Sequence, residues 1–111
     1  MQITDEERFA LSKLYDRPND FDAAITANVD KVSVIERTMT GVGYFTTIQF
    51  QCDLPDSTES ERRSWNFKHK KLHYGGLFTA YYEKPNVIEL EAIVHDGKWP
   101  DYFNAEDFSE M

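Results

Sequence analysis

Strict alternation of apolar and polar residues is the clearest pattern in the chain, and it runs from 87 to 94 (VIELEAIV). One side of such a strand would carry Ile88, Leu90, Ala92 and Val94. The other side would carry Glu89 and Glu91. A period of two residues is typical of a half-buried β-strand. We therefore predict a strand with its apolar side in the core and its glutamates in solvent.

Glycine- and proline-containing turns connect further β-prone runs. Thr40-Gly41-Val42-Gly43 separates 32–39 from 44–52, and both runs are rich in β-branched and aromatic residues. This pattern predicts a hairpin with positive φ at Gly41 or Gly43. In its second strand the core side would carry Tyr44, Thr46, Ile48 and Phe50.

A second hairpin is predicted to join 77–83 to 87–94. Before it, the run 65–73 also alternates and is interpreted as a strand. Tyr74-Gly75-Gly76 is interpreted as the turn that follows this strand. A polar loop is expected between the two sheet segments, from 53 to 64.

Helices are predicted at the N-terminus. Thr4 and Glu7 have the spacing of a capping box, and Arg17-Pro18 would end the first helix. Asp20 is positioned to cap a short second helix over 20–28.

The resulting fold class is α+β, with an N-terminal helix or helices packed on an antiparallel sheet of about four to five strands made of two hairpins. The 111 residues are expected to form one domain. Its segments are a helical N-terminus (1–28), a first hairpin (31–52), a polar loop (53–64), a second sheet segment (65–94) and an acidic tail (95–111).

The net charge of -8 limits the kinds of partner. At neutral pH an acidic domain is repelled by phosphate backbones and by anionic membranes, and it attracts cationic partners. The sequence therefore favours a cationic protein partner over nucleic acid or membrane. The oligomeric state stays open. A single cysteine and an N-terminus without a signal-peptide pattern predict a cytoplasmic location.

Candidate catalytic groups are few, and none stands in a known motif. His69 and His73 have metalloprotease spacing, but the segment HKKLH lacks the glutamate of that motif. No metal or other cofactor is expected. A small hydrolase using His95, His73 or Cys52 stays open as an alternative, as does a domain that oligomerises through an exposed strand edge.

Bases and acids are segregated in the middle of the chain. The basic set is Arg62, Arg63, Lys68, Lys70 and Lys71. This set either binds nucleic acid, with Trp65 and Phe67 as stacking platforms, or pairs with acids of the same molecule. The acidic net charge favours internal pairing.

Two acidic clusters are the candidate partner-binding residues. The first consists of Asp53, Asp56 and Glu59. The second contains aromatic residues as well: Asp101, Tyr102, Phe103, Glu106 and Asp107. Aromatic anchors ringed by carboxylates suit the capture of a cationic protein surface. Alternatively, the rings of the second cluster pack on the core and its acids are solvated.

Two stretches, RTMTGVGYFTTI and VIELEAIVHDGKWPD, resemble a pattern in small bacterial proteins of unassigned function. Those proteins have a TGVG-aromatic-aromatic-Thr hairpin and an acidic strand that ends in a DG turn and Trp-Pro. In size and charge the chain also resembles immunity proteins of bacterial toxin systems. That likeness implies a non-enzymatic inhibitor that occludes the cationic site of a toxin such as a nuclease.

Overall fold

Two helices cover one face of an antiparallel sheet in the computed structural model, which describes residues 1–56, 62–83 and 85–111. The helices are α1 (Asp5–Leu14) and α2 (Asp20–Ala27). The strands are β1 (Val32–Met39), β2 (Gly43–Phe50), β3 (Arg62–His69), β4 (Leu72–Glu83), β5 (Val87–Val94) and β6 (Phe108–Glu110). Their order across the sheet is β1-β2-β5-β4-β3-β6. The α+β class is confirmed, but the described residues form six strands rather than the four to five predicted.

Local sequence signals set the ends of both helices. Thr4 and Glu7 form the predicted capping box, in which each side chain accepts the other's backbone N–H. The cap of α2 is Asn19 rather than the predicted Asp20. Asn19 has extended backbone angles, and its side chain accepts from the N–H of Asp22, whereas Asp20 is already helical. Neither helix in the described part of the chain is long and apolar enough to cross a membrane.

The first hairpin turns where the glycines predicted it would. Gly41 has a φ of 86°, which L side chains rarely adopt. Gly43 lies so close to β5 that a side chain there would overlap the carbonyl group of Ala92. The predicted core side of β2 is confirmed, since Tyr44, Thr46, Ile48 and Phe50 are all buried.

The predicted turn at Tyr74-Gly75-Gly76 is wrong. The chain turns after His69, and these three residues lie within β4. Gly76 pairs with Phe67 of β3, and a side chain on Gly76 would overlap the Phe67 ring. A glycine in the sequence can therefore indicate a turn, or it can indicate a close approach between groups inside a strand.

The tail contributes to the sheet. Ala105–Asp107 form one turn of 3-10 helix, and β6 then pairs antiparallel with β3. Phe108 of β6 is buried against Phe67 and Phe78. A strand of three residues is too short to show the alternation that reveals longer strands, so the sequence gives no signal for it.

The core lies between the helices and one face of the sheet. Phe9 of α1 packs on Trp65 of β3, and Phe21 of α2 packs on Tyr82 of β4. In β5 the predicted side is buried: Ile88, Leu90, Ala92 and Val94. The opposite face of the sheet carries Glu89 and Glu91, as predicted.

Replacing Leu90 with alanine should lower the free energy of unfolding by about 2–5 kcal/mol, because the cavity opens in a packed core. Leu90 is 1% exposed. Glu89→Gln on the solvent side should change the same quantity by less than about 0.5 kcal/mol. Urea denaturation of both variants measures the difference. Equal effects would contradict the orientation of β5.

Candidate binding site

The face of the sheet that the helices leave uncovered carries exposed aromatic rings. We call this surface the open face, and its centre consists of Phe45 on β2, Glu89 and Glu91 on β5, and Thr79 and Tyr81 on β4. Phe45 is 50% exposed and Tyr81 is 37% exposed. The open face of an antiparallel sheet is usually polar, so the two rings distinguish this surface.

Strand register sets these rings beside carboxylates. Phe45 lies directly opposite Glu91, and Tyr81 lies directly opposite Glu89. Side chains opposite each other on one face have Cβ atoms about 4.5–5.5 Å apart. A shallow groove of about 450 Å³ is lined by these four residues together with Arg62 and Glu83. The open face therefore presents aromatic surface and negative charge together.

Further charges border the open face. Glu36 of β1 and Glu83 of β4 add carboxylates on the same side of the sheet. The bases on this side are Arg62 and Lys68 of β3. Among the described residues of the open face, acidic side chains therefore outnumber basic ones.

A separate pocket lies at the N-terminal end of α1. It has a volume of about 350 Å³, and we call it the α1 pocket. Its walls come from the first turn of α1, from the hairpin end of β1 and β2, and from the segment 99–103. The lining side chains include Glu6, Arg37, Tyr44, Trp99 and Phe103.

Glu6 holds two walls of the α1 pocket together. Its Oε1 accepts hydrogen bonds from the Tyr44 hydroxyl at 2.6 Å and from Trp99 Nε1 at 3.1 Å. The Tyr44 and Trp99 rings meet edge to face, with centroids 5.6 Å apart. Burial raises the pKa of Glu6 above its ordinary value, and this effect exceeds the lowering by the two hydrogen bonds.

Glu7 neutralises the arginine of the α1 pocket. Its buried carboxylate accepts from Arg37 Nε at 2.9 Å, from Arg37 Nη2 at 2.6 Å and from the Thr46 hydroxyl at 2.6 Å. Burial raises the pKa of Glu7, but the bonds from Arg37 and Thr46 outweigh it and bring the pKa below its ordinary value. Glu7, which is buried, and Arg37, which is partly buried, therefore form an ion pair that joins α1 to the sheet.

The predicted acidic tail cluster divides into exposed and packed members. Asp101 and Tyr102 are exposed, with Asp101 at the rim of the α1 pocket. Phe103 packs on Phe9 and Phe108, with ring centroids 5.5 Å and 5.9 Å away. Glu106 is exposed.

Asp107 belongs to the packed part of that cluster. Its side chain is only 10% exposed, and its carboxylate lies 3.9 Å from Lys71 Nζ.

The predicted loop cluster lies at the other end of the sheet. Asp53 and Asp56 are exposed, and Asp53 accepts a hydrogen bond from Asn86 beside the start of β5. Glu59 lies outside the described residues. The length of β2, about 23 Å for 8 residues, separates this end from Tyr44 and the α1 pocket. The two predicted clusters are not brought together.

The candidate catalytic residues do not converge. The N–H of Phe50 donates to Asn86, which places Cys52 near the start of β5, whereas His95 follows the end of β5. About 23 Å of strand lies between them. His73 and His95 are exposed, near the end of the sheet that is opposite to Cys52. No group of three or more metal-ligating side chains occurs in the described parts of the chain.

His69 is packed inside the fold. Its ring meets Phe108 edge to face, and its Nδ1 accepts the N–H of Lys71 at 3.0 Å. Burial lowers the pKa of His69. The imidazole therefore favours its neutral form and is occupied by a structural contact.

The basic segment supplies one buried ion pair. Arg63 donates to both carboxylate oxygens of Asp22 at 2.8 Å, and also to the carbonyl group of Leu14 at 3.1 Å. Its guanidinium group lies over the Tyr15 ring. Arg63 thus pairs internally, as the favoured interpretation predicted, while Lys68 and Lys70 are exposed.

The free edge of β1 is partly closed. The N–H of Val34 donates to the carbonyl group of Met1, and the register with β2 shifts between Val34 and Glu36. A bulge and a covering segment both reduce the capacity of an edge to pair with another chain.

Comparison with known proteins gave no match, whether to a family model, to a curated protein or to a solved structure.

Proposed function

We propose that this protein is a non-enzymatic acidic binding protein, an immunity-like inhibitor that occludes the cationic site of a toxin such as a nuclease. The observation that supports this best is the open face, where Phe45 and Tyr81 are exposed next to Glu91 and Glu89. Aromatic residues are enriched at the energetically dominant positions of interfaces, and carboxylates beside them complement a cationic partner.

The open face is rigid before any partner arrives. Its centre is built on β2, β5 and β4, and each of these strands is hydrogen-bonded on both sides. A backbone that is held on paired strands loses little conformational entropy on binding. A flat, preorganised surface suits a folded partner better than a flexible peptide.

The charge of the open face suits a nuclease. A nuclease holds substrate phosphates with lysine and arginine side chains, and those groups also bind carboxylates. Glu89 and Glu91 would occupy phosphate positions, while Phe45 and Tyr81 would bury their apolar surface against the rim of the cationic site. The net charge of -8 would draw the partner in over a longer range.

Protection of cells tests the proposal. A panel of bacterial nuclease toxin domains would be co-expressed with this protein, and survival would be counted as colonies. We expect protection against at least one toxin, and Phe45→Ala should weaken that complex by roughly 30-fold or more in a biosensor measurement, as expected for an interface anchor.

Tyr102→Ala is the matched control, because Tyr102 is an exposed ring outside the open face, in the predicted tail cluster. It should leave the affinity within about twofold. A large loss with Tyr102→Ala and none with Phe45→Ala would move the binding surface to the tail and contradict the open-face proposal. If no strain in the panel survives, the result would contradict the inhibitor function itself.

A further inference from the structure

The α1 pocket lies on the helix-covered side of the sheet and has no part in the proposed inhibitor. Its lining carboxylates are Asp5, Glu6, Glu7 and Asp101. Arg8 pairs with Asp5, Lys98 lies 3.8 Å from Asp101, and Arg37 pairs with Glu7. Arg37 is fully engaged, since it donates to Glu7 from two nitrogens, to the carbonyl group of Gln2 and to the sulfur of Met1. Among the described residues Glu6 is therefore the one lining carboxylate without an ion pair, and an incoming cation meets its charge.

Glu6 provides an acceptor that the fold leaves available. Both of its side-chain hydrogen bonds, from Tyr44 and Trp99, go to Oε1, and among the described residues none goes to Oε2. The carboxylate is also partly desolvated, which is the physical cause of its raised pKa. A cation that bonded Oε2 would restore the solvation that burial has removed.

Aromatic walls determine which cation fits best. Tyr44, Trp99 and Phe103 all line the pocket. A guanidinium group is planar and weakly hydrated, so it stacks on aromatic faces while its N–H groups donate to a carboxylate. An alkylammonium is more strongly hydrated and loses more on entering such a pocket.

We propose that the α1 pocket binds a guanidinium group, with Glu6 Oε2 as acceptor and the rings of Trp99, Tyr44 and Phe103 as walls. A volume of about 350 Å³ is sufficient for this group and the alkyl chain that carries it. The group comes either from an arginine side chain of a peptide or from a free guanidinium compound. Both sources offer the same chemistry to Glu6.

Nuclear magnetic resonance of the two indole N–H groups tests this proposal directly. The chain has two tryptophans, and Trp99 Nε1 donates to Glu6 whereas Trp65 lies on β3 outside the pocket. Titration with butylguanidinium should move the Trp99 signal and leave the Trp65 signal in place. We expect a Kd on the order of 1 mM for a ligand of this size.

The same titration is repeated with two control compounds and one peptide. Butylammonium has the charge without the planar group, and butylurea has the planar group without the charge. Each should bind at least tenfold more weakly than butylguanidinium. A blocked Gly-Arg-Gly peptide that binds tenfold more tightly than butylguanidinium would identify an arginine side chain as the source, and equal or weaker binding would identify a free compound.

Glu6→Gln should weaken butylguanidinium binding at least tenfold, while its amide oxygen still accepts from Tyr44 and Trp99. The control Asp101→Asn at the pocket rim should change the affinity by less than threefold, since Asp101 is exposed. An unmoved Trp99 signal, equal binding of butylurea, or full affinity in a folded Glu6→Gln protein would each overturn the proposal. The test uses no protein partner, so its failure is distinguishable from failure of the inhibitor function.

Discussion

Replacing Arg63 with methionine should lower the free energy of unfolding by about 3–5 kcal/mol, because it leaves the charge of Asp22 buried without a partner. The side chain of Arg63 is 3% exposed and that of Asp22 is 1% exposed. Two bonds of 2.8 Å join the guanidinium group to both carboxylate oxygens. This pair also ties α2 to β3, which are distant in sequence.

Arg8→Met is the matched control for that substitution. Arg8 bonds Asp5 and Asp30, but those two carboxylates are largely exposed, so the expected change is about 0–1 kcal/mol. The double variant Arg63→Met with Asp22→Leu should recover part of the stability, since it removes both buried charges. Urea denaturation at neutral pH measures all three. Equal costs for Arg63→Met and Arg8→Met would contradict the assigned importance of the buried pair.

The pH dependence follows from the pKa of Asp22. Burial raises this pKa, but the hydrogen bonds from Arg63 and from the N–H of Arg17 outweigh it, so the pKa is lower in the folded protein than in the unfolded chain. The pair therefore contributes its stability above the unfolded pKa of an aspartate and loses it as the pH falls through the lower folded pKa. The difference between wild type and Arg63→Met should shrink as acid protonates Asp22.

The alternation of residues along single strands predicted part of the central sheet. It identified the buried side of β2 and of β5, and the glycines predicted the turn at Gly41. It failed at Gly75 and Gly76, because glycines that lie close to the Phe67 carbonyl group and the Phe67 ring have the same sequence signature as glycines in a turn. It also failed at β6, whose position depends on pairing with β3 rather than on its own pattern.

The candidate surfaces depend on strand order, which local patterns do not set. Glu89 was predicted on the solvent side of β5, and Phe45 alternates with the predicted core residues of β2, but only the neighbouring positions of β2, β5 and β4 make the two residues one surface. The same holds for the α1 pocket, where Glu6 and Trp99 are 93 residues apart. The predicted clusters were runs of neighbours in sequence, and the fold sends them to opposite ends of the sheet.

Under the proposed function, charge reversal on the open face should slow the capture of a toxin. In the double variant Glu89→Lys and Glu91→Lys, we expect the association rate constant to fall by about 10-fold or more at low ionic strength, since like charges then face the cationic site. For the wild-type protein the rate constant should fall steeply as salt rises towards about 0.5 M, because the Debye length shrinks from about 10 Å at 0.1 M to a few ångströms. Stopped-flow fluorescence measures both effects.

A second double variant, Asp53→Lys and Asp56→Lys, tests whether the association rate depends on the position of the charges or only on the net charge. It changes the net charge by the same amount, but its two residues are exposed and lie outside the open face, in the segment that follows β2, where Asp53 bonds Asn86. With both double variants compared at about 0.15 M salt, where the Debye length is about 8 Å, this variant should slow association by less than about threefold if the open face is the binding surface. A larger effect of Asp53→Lys and Asp56→Lys than of the open-face pair would instead favour the predicted loop cluster. Association that ignores both salt and both double variants would contradict electrostatic capture altogether.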